Sequence, residues 1–209
     1  MKKRAGLSGW VLLLGCLVIA SPSPAETEAN RWLQVQKHFA SVTSIRTEFS
    51  QKKELKILRK PLVSEGRFFF RAPGDIRWEY TSPIESILLA EGGDVKRYVK
   101  RDASWVQEQD PGLEAMGQVL RDMSGWLTGD FESSPHFRAE LEAGPPVRVI
   151  LLPRQAAVSS FIEKVVLTLS PRPGVLDSVE IVEGPGNSTL IEFRNTEINV
   201  PLGKELFER

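Results

Sequence analysis

The sequence is poor in the residues that build cross-links and metal centres. Its 209 residues include one cysteine, Cys16, and two histidines, His38 and His136. A single cysteine cannot form an intramolecular disulfide, and two widely separated histidines leave almost no ligands for a metal. We interpret both histidines as solvated surface residues. The chain is therefore expected to hold no metal or other cofactor and to rely on its hydrophobic core.

An excess of charge and the usual catalytic motifs are also missing. The 27 basic and 27 acidic residues balance, so no net positive field is available to displace counterions from nucleic-acid phosphates. The chain has no Gly-x-Ser-x-Gly nucleophile elbow, and Gly203-Lys204 lacks the other residues of a phosphate loop. These absences exclude a typical nucleic-acid binder and leave an enzyme without support.

The long apolar run is confined to the N-terminus. Residues 11–20 (VLLLGCLVIA) follow the basic residues 2–4 and precede small residues that end at Ala25. Such a run is too short to span a bilayer but is typical of a secretory signal peptide. The sequence therefore predicts a signal peptide over residues 1–25, export to the periplasm, and one mature domain over residues 26–209.

Cys16 leaves an alternative open. Residues 13–16 (LLGC) resemble a bacterial lipobox, which would make Cys16 the lipid-modified first residue of the mature chain. The apolar run continues past Cys16 through residues 17–20, where a mature lipoprotein normally becomes polar. We therefore favour cleavage after Ala25.

Hydrophobic spacing in the remaining chain predicts two helices, at residues 28–42 and 111–127, and about eleven β-strands. The segments with strand spacing are 45–49, 53–58, 63–71, 75–81, 86–90, 95–100, 104–107, 137–142, 147–152, 162–169, 176–182 and 189–198. Few connections are long enough for crossover helices, so the sheet should be antiparallel, and so many twisted strands should curl. The two helices are the sizeable elements available to cover its concave face.

Aromatic side chains concentrate on two successive predicted strands. Residues 68–70 are all phenylalanine, and Ile76, Trp78 and Tyr80 alternate with charged residues on the next strand. One face of the curled sheet would therefore be lined by aromatic groups. That face is either ordinary core, which composition alone favours, or a hydrophobic cavity for a ligand.

A series of short motifs runs through these strands. It comprises Phe49-Ser50-Gln51, Gly66 at the start of an aromatic strand, residues 73–80 (PGDIRWEY), Ser82-Pro83, residues 86–88 (SIL), Glu91-Gly92 and Tyr98. In order and spacing these motifs resemble the LolA family of periplasmic outer-membrane lipoprotein carriers. The predicted helix before Phe49 and the strands after Gly129 fit the same layout, so the resemblance covers essentially the whole mature chain.

The resemblance implies a mainly β fold with helices (α+β). This fold is a strongly curved, unclosed antiparallel half-barrel of about eleven strands, with a helical lid over an apolar cavity. It also implies a monomeric, non-enzymatic carrier that takes acyl chains of lipoproteins from an inner-membrane ABC transporter to an outer-membrane acceptor. The cavity residues so implied are Ile45, Phe49, Phe68, Phe70, Ile76, Trp78 and Tyr80. The lid residues so implied are Met116, Val119, Leu120, Met123 and Trp126.

One position departs from the family pattern. Studied carriers have an arginine directly before the proline that is Pro73 here, and this arginine bonds to the lid. This chain has Ala72 at that position, and alternation should point Arg71 to the opposite face. Either another contact holds the lid closed over the cavity, or the carrier takes another lipid. Two further hypotheses share the fold: a membrane-anchored acceptor acylated at Cys16, and a periplasmic sensor or scaffold that binds protein.

Overall fold

The computed structural model describes residues 24–109 and 113–208. Cys16, the predicted signal peptide up to residue 23, and residues 110–112 at the start of the second predicted helix lie outside the described residues. The helices are α1 (Pro24–Ala40), α2 (Leu113–Leu127) and the short α3 (Ala156–Ser159), with a 3-10 turn at Lys204–Leu206. The strands are β1 (Ser44–Glu54), β2 (Leu62–Arg71), β3 (Asp75–Ser82), β4 (Ser86–Glu91), β5 (Asp94–Arg101), β6 (Ser104–Glu108), β7 (Phe137–Glu142), β8 (Arg148–Pro153), β9 (Lys164–Leu169), β10 (Leu176–Val182) and β11 (Ser188–Ile198).

All eleven strands belong to one antiparallel sheet. Its order is β6-β5-β4-β3-β2-β1-β11-β10-β9-β8-β7, so two runs of hairpins meet where β1 pairs with β11. The edge strands β6 and β7 do not pair with each other, which leaves the barrel open. The predicted unclosed antiparallel half-barrel is confirmed.

The separate strand predicted at residues 53–58 is wrong. Lys53 and Glu54 continue β1, and a loop follows over residues 55–61. Glu54 pairs with Ser188, the first residue of β11, and Lys53 pairs with Leu62, the first residue of β2. Both neighbours of β1 therefore end at this point. The alternating residues 55–58 have no neighbouring strand with which to form backbone hydrogen bonds.

Helix α2 lies against both halves of the sheet. Leu120 and Leu127 pack in the apolar cluster of β1–β4, whereas Trp126 packs in the cluster of β7–β9. Met123 contacts both clusters. One helix can reach both sets of strands because the sheet curves around it, which puts α2 on the concave face.

The C-terminus of α2 is fixed by a glycine. Gly129 has a positive φ of 85°, and its N–H donates to the Trp126 carbonyl at 3.1 Å. The N–H of Asp130 donates to the Gly125 carbonyl at 2.8 Å, which completes the common glycine-terminated helix end. A Cβ atom at Gly129 would lie 2.4 Å from the carbonyl oxygen of Gln36 in α1. A glycine is therefore required where the two helices meet.

Candidate functional site

The seven side chains assigned to a cavity lie together in one apolar cluster on the concave face. Phe49, Phe70 and Ile76 are 0% exposed, and Ile45 and Phe68 are also buried. Trp78 and Tyr80 are partly buried and pack against the same cluster. The structure thus brings the whole predicted set together, and its role in binding a ligand stays a prediction.

Cross-strand pairing creates this cluster. Ile45 lies opposite Phe70, and Phe49 lies opposite Gly66. The Phe49 ring sits directly over that glycine, because a Cβ atom there would be 2.6 Å from the ring. The centroid of the Phe49 ring is then 5.1 Å from Trp78 and 5.3 Å from Tyr80, within the range of favourable aromatic contacts.

The cover of this cluster comes from α2. Leu120 and Trp126 are buried, and Met123 is half-buried between the two clusters. Val119 is 41% exposed, so this predicted lid residue contributes less to the contact. The side chain of Met116 lies outside the described residues. The predicted lid residues thus contact the sheet mainly in the last turns of α2.

The interior beneath this cover is filled by the protein's own side chains. A crevice lined by Ile45, Phe68, Leu127 and Phe193, among others, has a volume of about 20 Å³. That space is about enough for one water molecule. An acyl chain could enter the cluster only if α2 and the side chains beneath it moved.

An open groove continues the concave face beyond the cluster. It has a volume of about 490 Å³ and is lined by residues of β1–β5 and of the β3–β4 turn. Tyr80 and Leu88 line this groove and also pack against the cluster, so the two are contiguous. The Tyr80 hydroxyl donates to Oε1 of Gln51 at 2.9 Å, and burial raises the pKa of Tyr80. Arg97 adds a cation, 3.6 Å from Glu108.

A second cleft lies along the edge of α2. It has a volume of about 430 Å³, and Ala90, Val95 and Leu120 contribute apolar atoms to its walls. Its other walls are the turns at residues 73–75 and 92–93 and polar residues of α2. Helix α2 therefore has open space beside it, next to the tips of the strands that it covers.

The departure at Ala72 has the expected geometry. The Ala72 side chain packs against the concave cluster, whereas Arg71 points away from it. The Arg71 guanidinium donates to Oδ2 of Asp75 at 2.6 Å and lies 4.7 Å from the centre of the Phe207 ring. Arg71 therefore anchors the C-terminal segment, and none of its hydrogen bonds among the described residues reaches α2.

A polar network that sequence reasoning missed fastens α2 instead. Asp122 is 8% exposed and accepts a hydrogen bond from Ser134 Oγ at 3.0 Å. Its other oxygen lies 3.1 Å from Nδ1 of His136. The Ser134 hydroxyl oxygen accepts from the backbone N–H of His136 and of Phe137. The interpretation of His136 as a solvated surface residue is therefore wrong, since it belongs to a partly buried network.

Two buried donors lack acceptors. The indole nitrogens of Trp78 and Trp126 are buried, and neither donates a hydrogen bond to another described residue. The Trp78 indole is near enough to the Tyr80 hydroxyl to oppose the rise in its pKa, but it lies outside hydrogen-bond geometry. A buried donor without an acceptor costs about 1–3 kcal/mol. One of these donors lies in each apolar cluster that α2 contacts.

Comparison with known proteins identifies the family. The family model described as "Outer membrane lipoprotein carrier protein LolA" matches residues 40–209. The chain belongs to the LolA family. A protein named outer-membrane lipoprotein carrier protein from Alkalilimnicola ehrlichii is 27% identical over 206 residues, which cover 95% of this chain and 88% of the relative. The protein of the same name from Cupriavidus taiwanensis is also 27% identical, with 94% and 92% covered.

The LolA family resemblance drawn from the short motifs is thus confirmed. A solved structure, that of an uncharacterized conserved protein from Thermus thermophilus, has the same fold with a TM-score of 0.50. It is 11% identical, and the alignment covers 87% of this chain and 93% of that protein. Among residues 24–109 and 113–208, no helix is long and apolar enough to cross a bilayer.

Proposed function

We propose that this LolA-family protein is a periplasmic carrier that binds the acyl chains of lipoproteins and performs no covalent chemistry. The observation that carries the proposal is the cover of the concave face. The strands below are fixed by backbone hydrogen bonds to their neighbours, whereas α2 rests on the sheet through apolar side chains and is fastened by the side-chain hydrogen bonds of Asp122. A helix held in this way can leave without breaking the sheet.

The energetics suit displacement of α2 by an acyl chain. Fully exposing Leu120, Trp126 and Leu127 would cost about 5–9 kcal/mol, at 1.5–3 kcal/mol for each buried apolar side chain. Breaking the hydrogen bonds of Asp122 would add about 2–4 kcal/mol. An acyl chain of about sixteen carbons gains roughly 13 kcal/mol when it leaves water, at about 0.8 kcal/mol per CH₂. Transfer from another apolar site gains almost nothing, which makes loading and release reversible.

The unpaired donor on the sheet adds a polar preference. Ester and amide carbonyl groups link acyl chains to a lipoprotein, and such a carbonyl oxygen would accept from the indole nitrogen of Trp78, which stays on β3 when α2 leaves. A bound chain would then relieve a buried polar group that has no acceptor while α2 covers it. We propose that the donor of the cargo is an inner-membrane ABC transporter and that its recipient is an outer-membrane acceptor.

Fluorescence of Trp78 tests this function. Replacing Trp32, Trp105 and Trp126 by phenylalanine leaves Trp78 as the reporter in the mature chain, and a diacylated lipopeptide is then titrated. We expect a saturable change in emission as the acyl chains contact the indole. The matched control keeps Trp105 alone, because this residue pairs with Lys100 at the edge strand β6, away from the cluster. An unchanged Trp78 signal at saturating lipopeptide would contradict the proposed site.

A further inference from the structure

Five large apolar side chains are exposed to solvent at the open end of the concave groove. Ile57 is 88% exposed and Ile84 is 64% exposed, while Leu58, Leu62 and Val63 are between 42% and 52% exposed. We call these five residues the apolar lip. They come from the β1–β2 loop, the start of β2 and the β3–β4 turn.

The lip is contiguous with the groove. Leu62, Val63 and Ile84 all line its 490 Å³, together with Tyr80 from the edge of the apolar cluster. Ile57 and Leu58 lie in the β1–β2 loop, which leads directly into Leu62 and Val63 at the start of β2. Exposed apolar groups that are scattered singly need no explanation, but a continuous patch marks a surface that becomes covered.

Unpaired cations are interleaved with the lip. Lys56, Arg59 and Lys60 flank Ile57 and Leu58 and are exposed, and none of the three forms a salt bridge with an acidic residue that the structure describes. The preceding lysines differ, because Lys52 and Lys53 are paired with glutamates. The chain as a whole carries no net charge, so this positive charge is a local feature.

The combination of cations and apolar side chains defines the occupant. Anionic lipid headgroups attract basic side chains at a membrane surface, while apolar side chains enter the boundary with the acyl region. An acidic protein surface would satisfy the cations but would leave Ile57 in contact with polar groups. We propose that the apolar lip docks this protein reversibly on the surface of an anionic bilayer.

Docking in this way would place the groove against the membrane. The groove leads from the lip to Tyr80 and Leu88, and from there to the buried cluster. An acyl chain could then move between the bilayer and the concave face with little exposure to water. This consequence rests on the proposed carrier function, whereas docking itself needs no cargo.

Binding to empty vesicles tests the proposal. Protein purified from the periplasm is floated with phosphatidylcholine vesicles, with or without about one third phosphatidylglycerol, at several salt concentrations. We expect binding to the anionic vesicles only, with a loss of binding as salt rises. Changing Lys56, Arg59 and Lys60 together to glutamine should weaken binding about a hundredfold, since each basic residue near such a surface contributes about fivefold.

The apolar part of the lip is tested separately. Ile57→Ser should weaken vesicle binding at least about tenfold, because a membrane buries this exposed side chain. The matched control is Phe161→Ser, which removes an apolar group that is 76% exposed but lies between α3 and β9, away from the lip. This control should bind like the original protein.

Three results would overturn the proposal. One is equal binding to neutral and anionic vesicles, or no binding to either. A second is an equal loss in the Phe161→Ser control. The third is a dimer in sedimentation velocity that Ile57→Ser dissociates, which would assign the lip to a second copy of the chain. Lipopeptide titration of the same variants distinguishes failed docking from failure of the carrier function, because that titration contains no bilayer.

Discussion

Removal of the Asp122 carboxylate should loosen α2 without unfolding the sheet. In Asp122→Ala the hydroxyl of Ser134 and the imidazole of His136 both lose their hydrogen-bond acceptor. A hydrogen bond to a charged group contributes about 1.5–3 kcal/mol. The His136 side chain is 20% exposed, so water restores part of the loss. We therefore expect the free energy of opening α2 to fall by about 2–4 kcal/mol.

Hydrogen exchange measures this opening directly. A decrease of 2–4 kcal/mol corresponds to roughly 30- to 700-fold faster exchange, since about 1.4 kcal/mol is a factor of ten. We expect this acceleration at the amides of residues 113–127 and a much smaller one at β2 and β3. The same variant should take up an acylated lipopeptide faster, because loading requires α2 to leave the concave face.

An exposed aspartate provides the matched control. Asp130 follows α2, is exposed, and accepts hydrogen bonds from the hydroxyl of Ser133 and from its backbone N–H, the latter at 3.2 Å. Asp130→Ala should change α2 exchange by less than about tenfold, because water can replace a partner at an exposed site. Equal acceleration of α2 and of β2–β3 by Asp122→Ala would refute the reasoning, since it would make the network part of one cooperative core.

Two further predictions concern the sheet. Gly66→Ala should lower the free energy of unfolding by about 3 kcal/mol, because the new methyl group would lie 2.1 Å from the backbone carbonyl oxygen of Glu79 and 2.6 Å from the Phe49 ring; a chemical denaturation midpoint close to that of the unaltered protein would contradict these contacts. Burial opposes ionisation of Glu79, but hydrogen bonds and charges from Arg67 and Arg77 outweigh it and lower its pKa. The folded state thus favours the ionised form of Glu79. This ionisation stabilises the fold fully above the usual glutamate pKa of about 4.3, and the stabilisation is lost as the pH falls through the lowered pKa. Glu79→Gln should be less stable than the unaltered protein at pH 7, and thermal melts should show this difference shrinking in acid; a constant difference would argue against the ion pairs.

The sheet could be predicted largely from alternation. In β3 the apolar Ile76, Trp78 and Tyr80 alternate with charged residues, and a residue that must face a core fixes the register of its strand. The extra strand at residues 53–58 shows the limit of this reasoning. Leu55 and Ile57 alternate with Glu54 and Lys56, but a strand also needs partners, and the start of β11 that ends this pairing lies far away in the sequence.

The membership of the apolar cluster could also be predicted, but its closed state could not. Alternation within each strand assigns Phe49, Phe70 and Ile76 to the inward face, so their positions can be predicted from one strand at a time. Whether they enclose a ligand-sized space depends on how α2 packs on them, and the observed crevice of about 20 Å³ results from that packing. The helix period places Leu120 on the contact face, whereas Val119 is 41% exposed.

The network around Asp122 lacked a usable sequence signal. Asp122 directly follows Arg121 in α2, and a charged pair in a helix ordinarily indicates a solvent-facing position. Its partners Ser134 and His136 follow a turn, and only the fold brings them back to the helix. Ala72 stands where the resemblance implies an arginine, which leaves open what else holds the lid, and this network is one polar contact that the structure provides.

A reversible cross-link between α2 and the sheet tests the central claim that acyl chains enter only when α2 moves. A Cβ atom at Gly117 would lie 3.9 Å from Cβ of Val95 on β5, a separation that suits a disulfide. Because Cys16 lies in the predicted signal peptide, a Gly117→Cys, Val95→Cys variant would carry these two thiols alone in its mature form. We predict that the oxidised protein binds no acylated lipopeptide and that reduction restores binding. Equal binding by the oxidised and reduced forms would contradict the account.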